Sequence, residues 1–426
     1  MVPELDTDAH LSDFADFIRD SPSSYHAAAS VADRLEAAGF ERLDERDEWP
    51  AGPGRRVVVR DGAVIAWVQP GGATPWTPFR ILGAHTDSPS FKLKPGASTS
   101  SEGLLQAGVE VYGGPLLNSW LDRELEFAGR LVTTDGVQHL VRTGPMLRIP
   151  QLAIHLDRDV NKGLTLDRQR HLQPIWGSAP GPDLVTHLAG LAGVDADDVA
   201  GHDVLMADTA APARFGREGE LFAAGRMDNL SSVHAGLVAL LAAPDDAAHV
   251  SVLAAFDHEE LGSESRSGAS GPFLEDVLAR VAAGLGADDG DRRRAFADSW
   301  LLSSDAGHAV HPNYPEKHDP NNRPVLGGGP LLKLNANQRY ATDGVGSAMW
   351  ARACRQAGVT AQPFVSNNTI PCGSTIGPLS ATRLGIRTVD VGTPLLSMHS
   401  ARELAHVDDL VALAAAITAF FAPAGD

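Results

Sequence analysis

The run Val250-Ser251-Val252-Leu253-Ala254-Ala255-Phe256 carries no charge and stops abruptly at Asp257-His258-Glu259-Glu260. Its β-branched and aliphatic residues predict a buried strand. Open α/β folds bind their ligands at the strand ends of a parallel sheet. Two adjacent glutamates at such an end can divide the labour, one ligating a metal while its neighbour stays free to move a proton. Alone, a Glu-Glu pair is usually a solvated acidic turn, so the rest of the chain must decide.

A chain of 426 residues exceeds one ordinary core, and at 43% apolar it can fill two. The net charge of −19, from 54 acidic against 35 basic residues, argues against nucleic acid, whose phosphates need a basic footprint. No apolar stretch reaches the length of about 18 residues needed for a membrane span. The acidic start Met1-Val2-Pro3-Glu4-Leu5-Asp6 lacks the apolar core of a signal peptide. Cys354 and Cys372 cannot build a disulfide framework, and two free thiols suit a reducing cytoplasm.

Apolar spacing predicts helices over residues 8–20 and 22–38, the second capped by Ser21 with Pro22 at its first position and Gly39 just past its end. A hairpin is expected around Asp61-Gly62, then a short strand over 79–84 that delivers His85-Thr86-Asp87. Residues 93–219 change character. Alternating segments broken by Gly113-Gly114-Pro115 and Thr143-Gly144-Pro145 predict a β-rich unit, with a polar stretch around 157–185. From Leu221 strands and helices alternate again, with helices expected at 229–242, 271–285, 344–357, 373–384 and 407–422 and strands at 250–256, 299–304 and 386–391. The expected fold class is α/β, with a first part over 1–92 and a second over 220–426 separated by a β-rich insertion over 93–219.

Other segments share the strand-end logic. Trp300-Leu301-Leu302-Ser303-Ser304 leads into Asp305, Gly225-Arg226-Met227-Asp228-Asn229 precedes a helix, and Val389-Asp390-Val391-Gly392 precedes a loop reaching His399. The candidates are then His85, Asp228, Glu259, Glu260, Asp305 and His399. Imidazole and carboxylate donors suit Zn²⁺ or a similar divalent ion, and five ligands with one shared carboxylate make two sites. Taken singly, a His after a strand is usually a surface or capping residue, and Asp228 fits a helix N-cap. Five such residues at element ends, with a spare glutamate beside one, point instead to a metal centre.

The sequence also resembles a family. His85-Thr86-Asp87-Ser88-Pro89, Gly225-Arg226-Met227-Asp228-Asn229, Asp257-His258-Glu259-Glu260-Leu261-Gly262-Ser263 and Met398-His399-Ser400-Ala401-Arg402-Glu403 are similar to the signatures of aspartyl aminopeptidases. So are the run from Ser304 to Tyr314 and Pro371-Cys372-Gly373-Ser374-Thr375-Ile376-Gly377-Pro378. They occur in family order across residues 85–403, with no departure at a metal or base position. The resemblance implies a zinc-exopeptidase-like α/β/α sandwich with a mixed sheet and a dinuclear zinc centre, Co²⁺ or Mn²⁺ being possible substitutes. Asp228 would bridge the ions, His85 and Asp305 would complete one site, and Glu260 with His399 the other. Asp87 would fix the His85 imidazole, and Glu259 would be the general base.

The resemblance further implies removal of an acidic residue from peptide N-termini, with Lys333 and Tyr340 holding its carboxylate. Read from spacing alone, a lysine in a strand usually snorkels to solvent, and related enzymes of the family prefer neutral residues. His155, which reads as a histidine in an apolar strand, matches a family residue that reaches into the neighbouring subunit's active site. His308 and His311 either line the cleft or order the loop after Asp305. The insertion would be a dimerisation unit within a dodecamer. Rival readings are a zinc carboxypeptidase or deacylase, and an inactive assembly-forming homologue. A nucleotide-binding protein finds little support, because Gly327-Gly328-Gly329 lacks phosphate-loop and Rossmann spacing.

Overall fold

Four strands set the frame: Val250–Phe256, Phe79–His85, Trp300–Ser304 and Arg387–Gly392 run parallel, side by side. The computed structural model describes residues 5–422. Every residue of Val250–Phe256 is buried, and its side chains alternate between two helical layers. Leu253 and Ala255 pack into one core, Val252, Ala254 and Phe256 into the other, as a strand's period of two requires. Ala63–Gln69 then joins antiparallel on one side and Leu331–Leu334 on the other. The finished sheet has nine strands in the order Glu41–Leu43, Gly54–Arg60, Ala63–Gln69, Val250–Phe256, Phe79–His85, Trp300–Ser304, Arg387–Gly392, Leu331–Leu334, Gln362–Val365.

Helices Thr7–Asp20, Ser24–Ala37, Met227–Leu241, Gly344–Ala357 and Val407–Phe421 cover one face. Phe273–Gly284 covers the other, with Ile376 at the start of Ile376–Leu384. The architecture is an α/β/α sandwich on a mixed sheet. A second sheet, antiparallel and six-stranded, lies between Ser90 and Asp208. It closes over its own core of Phe91, Trp120, Phe127, Leu184, Leu188 and Met206. The short strand Leu221–Ala224 pairs with Glu403–His406, bringing two distant segments together beside the main sheet's edge of strand ends.

Two local expectations are corrected, and one helix is added. The second helix starts at Ser24 under the side chain of Ser23, because the Ser21 amide bonds back to Ile18 O and closes the first helix. The added helix, Leu184–Ala192, follows the polar stretch and is capped by Asp183. The segment holding His155 is no strand but an exposed turn, with Leu156 N bonded to Ala153 O at 2.8 Å. No helix among the described residues is long and apolar enough to cross a membrane.

Candidate metal centre

The C-terminal ends of the four parallel strands converge. His85 ends its strand, Asp305 directly follows Trp300–Ser304, Glu259 and Glu260 form a tight turn after Val250–Phe256, and the loop beyond Arg387–Gly392 carries His399. Asp228 arrives from the non-helical start of Met227–Leu241. Asn229 ties that start to the sheet, its side-chain amide donating to Ser304 O at 2.8 Å.

His85 Nε2 lies 3.3 Å from Asp228 Oδ1 and 3.7 Å from Asp305 Oδ1. His399 Nε2 lies 3.4 Å from Asp228 Oδ2 and 3.5 Å from Glu260 Oε1. These gaps are long for hydrogen bonds. They match the ~3.3 Å that separates ligand atoms around a tetrahedral ion with bonds of ~2.0–2.1 Å. Asp228 Oδ1 and Glu260 Oε1 are buried with no hydrogen-bond partner, an arrangement that native proteins otherwise avoid. Three donor trios lie within 4.8 Å: His85, Asp228 and Asp305; Asp228, Glu260 and His399; His85, Glu259 and Glu260. The residues present therefore fit two divalent cations that share Asp228.

The supporting hydrogen bonds turn the donors inward. His85 Nδ1 donates to Asp87 O at 3.0 Å and lies 3.4 Å from Asp87 Oδ1, which leaves Nε2 facing the centre. His399 Nδ1 likewise donates to Gly114 O at 3.0 Å. Asp87 is the hub: it accepts from Tyr112 Oη at 2.8 Å, from Glu259 N at 3.0 Å and from Glu260 N at 3.2 Å. Glu403 is a second hub, accepting from Asp228 N at 3.0 Å and His399 N at 2.9 Å.

Five carboxylates (Asp87, Asp228, Glu259, Glu260 and Asp305) crowd around two imidazoles. Burial, reinforced by Asp305, Asp228 and Asp87, pushes Glu259 up to about 8 despite the opposing pull of His85. Burial and Asp228 drive Glu260 well above the carboxylate range. Burial works against the charge of His399, yet Asp228 and Glu260 raise it to about 10. His85 is raised in the same way, against burial, by Asp228, Asp305 and Asp87. Without cations, protons hold this excess negative charge in check.

The residues expected at the substrate end divide. Lys333 is buried and donates to Ala306 O at 2.7 Å, with Asp305 Oδ2 at 3.8 Å and the Tyr340 ring centroid at 5.5 Å. Tyr340 and His308 line a cavity of about 190 Å³ with Phe364, His318 and Ile370. His311 accepts from Asn313 N at 3.1 Å and packs on Tyr314, ordering its own loop. His155 is exposed on its turn and is not among the clustered donors. Reading the sequence missed the hub roles of Tyr112 and Glu403. Glu403 stands inside the Met398–Glu403 motif, and a charged residue entering a strand was the available signal.

The model of the aminopeptidase I zinc metalloprotease (M18) family matches residues 17–421. A probable M18 family aminopeptidase 2 of Streptomyces avermitilis is 55% identical, over 96% of this chain and 97% of the relative. A chain of the cryo-EM structure of the Ape4 and Nbr1 complex superposes with a TM-score of 0.93 at 34% identity, covering 97% of this chain and 86% of that one. A chain of the S. cerevisiae mApe1 dodecamer superposes with a TM-score of 0.84 at 28% identity, covering 96% of each.

Proposed function

The chain belongs to the M18 family of aminopeptidase I zinc metalloproteases, and from that premise we propose how its residues divide the work of a zinc-dependent aminopeptidase. The pair of donor trios sharing Asp228, with buried unpartnered oxygens, carries the assignment. One ion falls to His85, Asp228 and Asp305, the other to Asp228, Glu260 and His399, with cobalt or manganese able to replace zinc. When bound, such a pair acts as a Lewis acid toward water and the scissile carbonyl of a peptide.

The protein's own groups position and move protons. Asp87 keeps Nε2 of His85 turned inward and fixes the backbone of Glu259 and Glu260. Glu259, half-buried against the centre, takes the proton of the attacking water on a carboxylate oxygen and returns it to the leaving amine. His155 acts from a neighbouring copy, donating a hydrogen bond to the carbonyl oxygen as charge develops there. Its turn exposes Leu152, Ile154 and Leu156, apolar side chains that a second copy would cover.

The preference for the side chain removed turns on Lys333. Its ammonium already serves Ala306 O and faces Asp305, so a neutral side chain beside Tyr340 is the better supported reading. The acidic preference is the second reading: once Asp305 serves an ion, the buried ammonium is short of a counter-charge. His308 lines this pocket, with His311 behind it ordering the loop. We propose that residues 93–219 form a dimerisation unit between the catalytic parts 1–92 and 220–426, that dimers build a dodecamer like that of mApe1, and that the enzyme works in the cytoplasm. Turnover of Asp-, Glu-, Leu- and Lys-linked chromogenic amides by metal-defined protein tests the reading. No turnover of any free-amine substrate by the zinc-loaded protein would refute it.

A further inference from the structure

We infer that Glu403 is the positioning residue that locks the two ligands His399 and Asp228 into one unit, an inference that rests on the dinuclear reading above. Glu403 is buried, and each of its oxygens accepts one backbone N–H: Oε2 from Asp228 at 3.0 Å, Oε1 from His399 at 2.9 Å. The two donors belong to segments that are remote in sequence, and this carboxylate bridges their backbones above the strand pair. In that pair Glu403 stands opposite Ala224, close before Asp228 on the facing segment.

Both segments need holding. Arg226 (φ 61°), just before Asp228, and Ser397 (φ 56°) and His399 (φ 66°) are non-glycine residues in the left-handed region, which L side chains rarely adopt. A carboxylate suits the task because it offers two acceptor oxygens and no donor. An amide in its place presents an NH₂ to one of the two N–H groups and must lose that contact. Asp228 keeps a separate tie through Ser88 Oγ, which donates to its carbonyl at 2.7 Å. His399 keeps its ring contact to Gly114 O and, through its own carbonyl, a hydrogen bond from Leu116 N at 2.9 Å. Both residues that Glu403 holds, His399 and Asp228, belong to the His399–Glu260 site, whereas only Asp228 belongs to the His85–Asp305 site, so loss of Glu403 should loosen the first site more than the second.

The test is a zinc titration of the metal-free protein against a chromophoric chelator, for wild type, Glu403→Gln, Glu403→Ala and Asp228→Ala. In Glu403→Gln the weaker of two zinc dissociation constants should rise by about 10- to 100-fold, the tighter one should change little, and excess zinc should restore most of kcat. Two unchanged dissociation constants in folded Glu403→Gln would overturn the inference, as would lost activity that zinc does not restore. Should both Glu403 variants fail to fold, amide exchange in the metal-free wild type decides. The N–H groups of Asp228 and His399 should exchange slowly, and fast exchange at both would sink the role. The wild-type stoichiometry separates the two claims, since a single zinc ion bound by fully active wild type would refute the dinuclear reading itself, while two ions retained in Asp228→Ala would refute the shared ligand.

Discussion

Glu259 and Glu260 are neighbours in sequence, yet they meet different partners. Glu260 points a buried, unpartnered oxygen at His399, whereas Glu259 sits half-buried beside His85. Glu259→Gln preserves shape and removes the proton acceptor, so kcat should fall by ~10² or more with zinc content unchanged; assays paired with elemental analysis check this, and parallel loss of zinc would make Glu259 a ligand. Zinc uptake should also depend on pH. His399, raised to about 10, holds a proton at neutral pH that ligation must expel, and Glu260 is shifted in the same direction by burial and Asp228. Zinc affinity should thus climb from about pH 6 to about pH 9, with proton release visible by calorimetry in buffers of different ionisation enthalpy. Uptake independent of pH would contradict the cluster's charge balance. For Lys333, replacement by Met should spare Leu substrates if the pocket takes neutral side chains. A selective loss of about 10² on Asp substrates would instead establish the acidic preference. The clustered donors are legible in the sequence because a charged group ending an apolar strand has few places to go. Tyr112 and Glu403 are not, because the fold alone brings Tyr112 to Asp87 and Glu403 to Asp228.

At the scale of elements, uncharged runs such as Val250–Phe256 and Trp300–Ser304 announce themselves, since only a covered sheet accepts them. The cap at Ser23 and the helix Asp289–Asp298 are harder to see. Three serines crowd the first junction, and only the fold decides which one meets a free N–H. The Asp- and Arg-rich helix buries little beyond Ala295, so it carries almost no apolar stripe to read. The turn at His155 misleads in the opposite way: its alternating apolar residues imitate a strand, although they lie exposed on this chain. Packing between helix and sheet makes a sharper test. Gly236 in Met227–Leu241 lies so close to the sheet that an added Cβ would come 2.1 Å from Leu82 Cδ2 and 2.7 Å from Leu253 Cδ1. Gly236→Ala should cost about 1–3 kcal/mol through overpacking, seen as a lower melting midpoint, and an unchanged midpoint would mean the layer is looser than described.

On the scale of the whole molecule, the central sheet gathers candidate ligands from five segments, while the second sheet carries His155 away on an exposed turn. If His155 serves a neighbour's site, inactive Glu259→Gln and inactive His155→Ala proteins should regain activity when dissociated and reassembled together. Proven hybrids that stay inactive would confine His155 to its own subunit. The central claim, that two shared-ligand zinc ions and Glu259 make this fold an aminopeptidase, is tested most directly by titrating zinc into metal-free protein. Bound zinc per chain and turnover of a free-amine peptide are followed in the same samples. Activity should reach its plateau only at two ions per chain; full activity at one ion, or in the metal-free protein, would contradict the account.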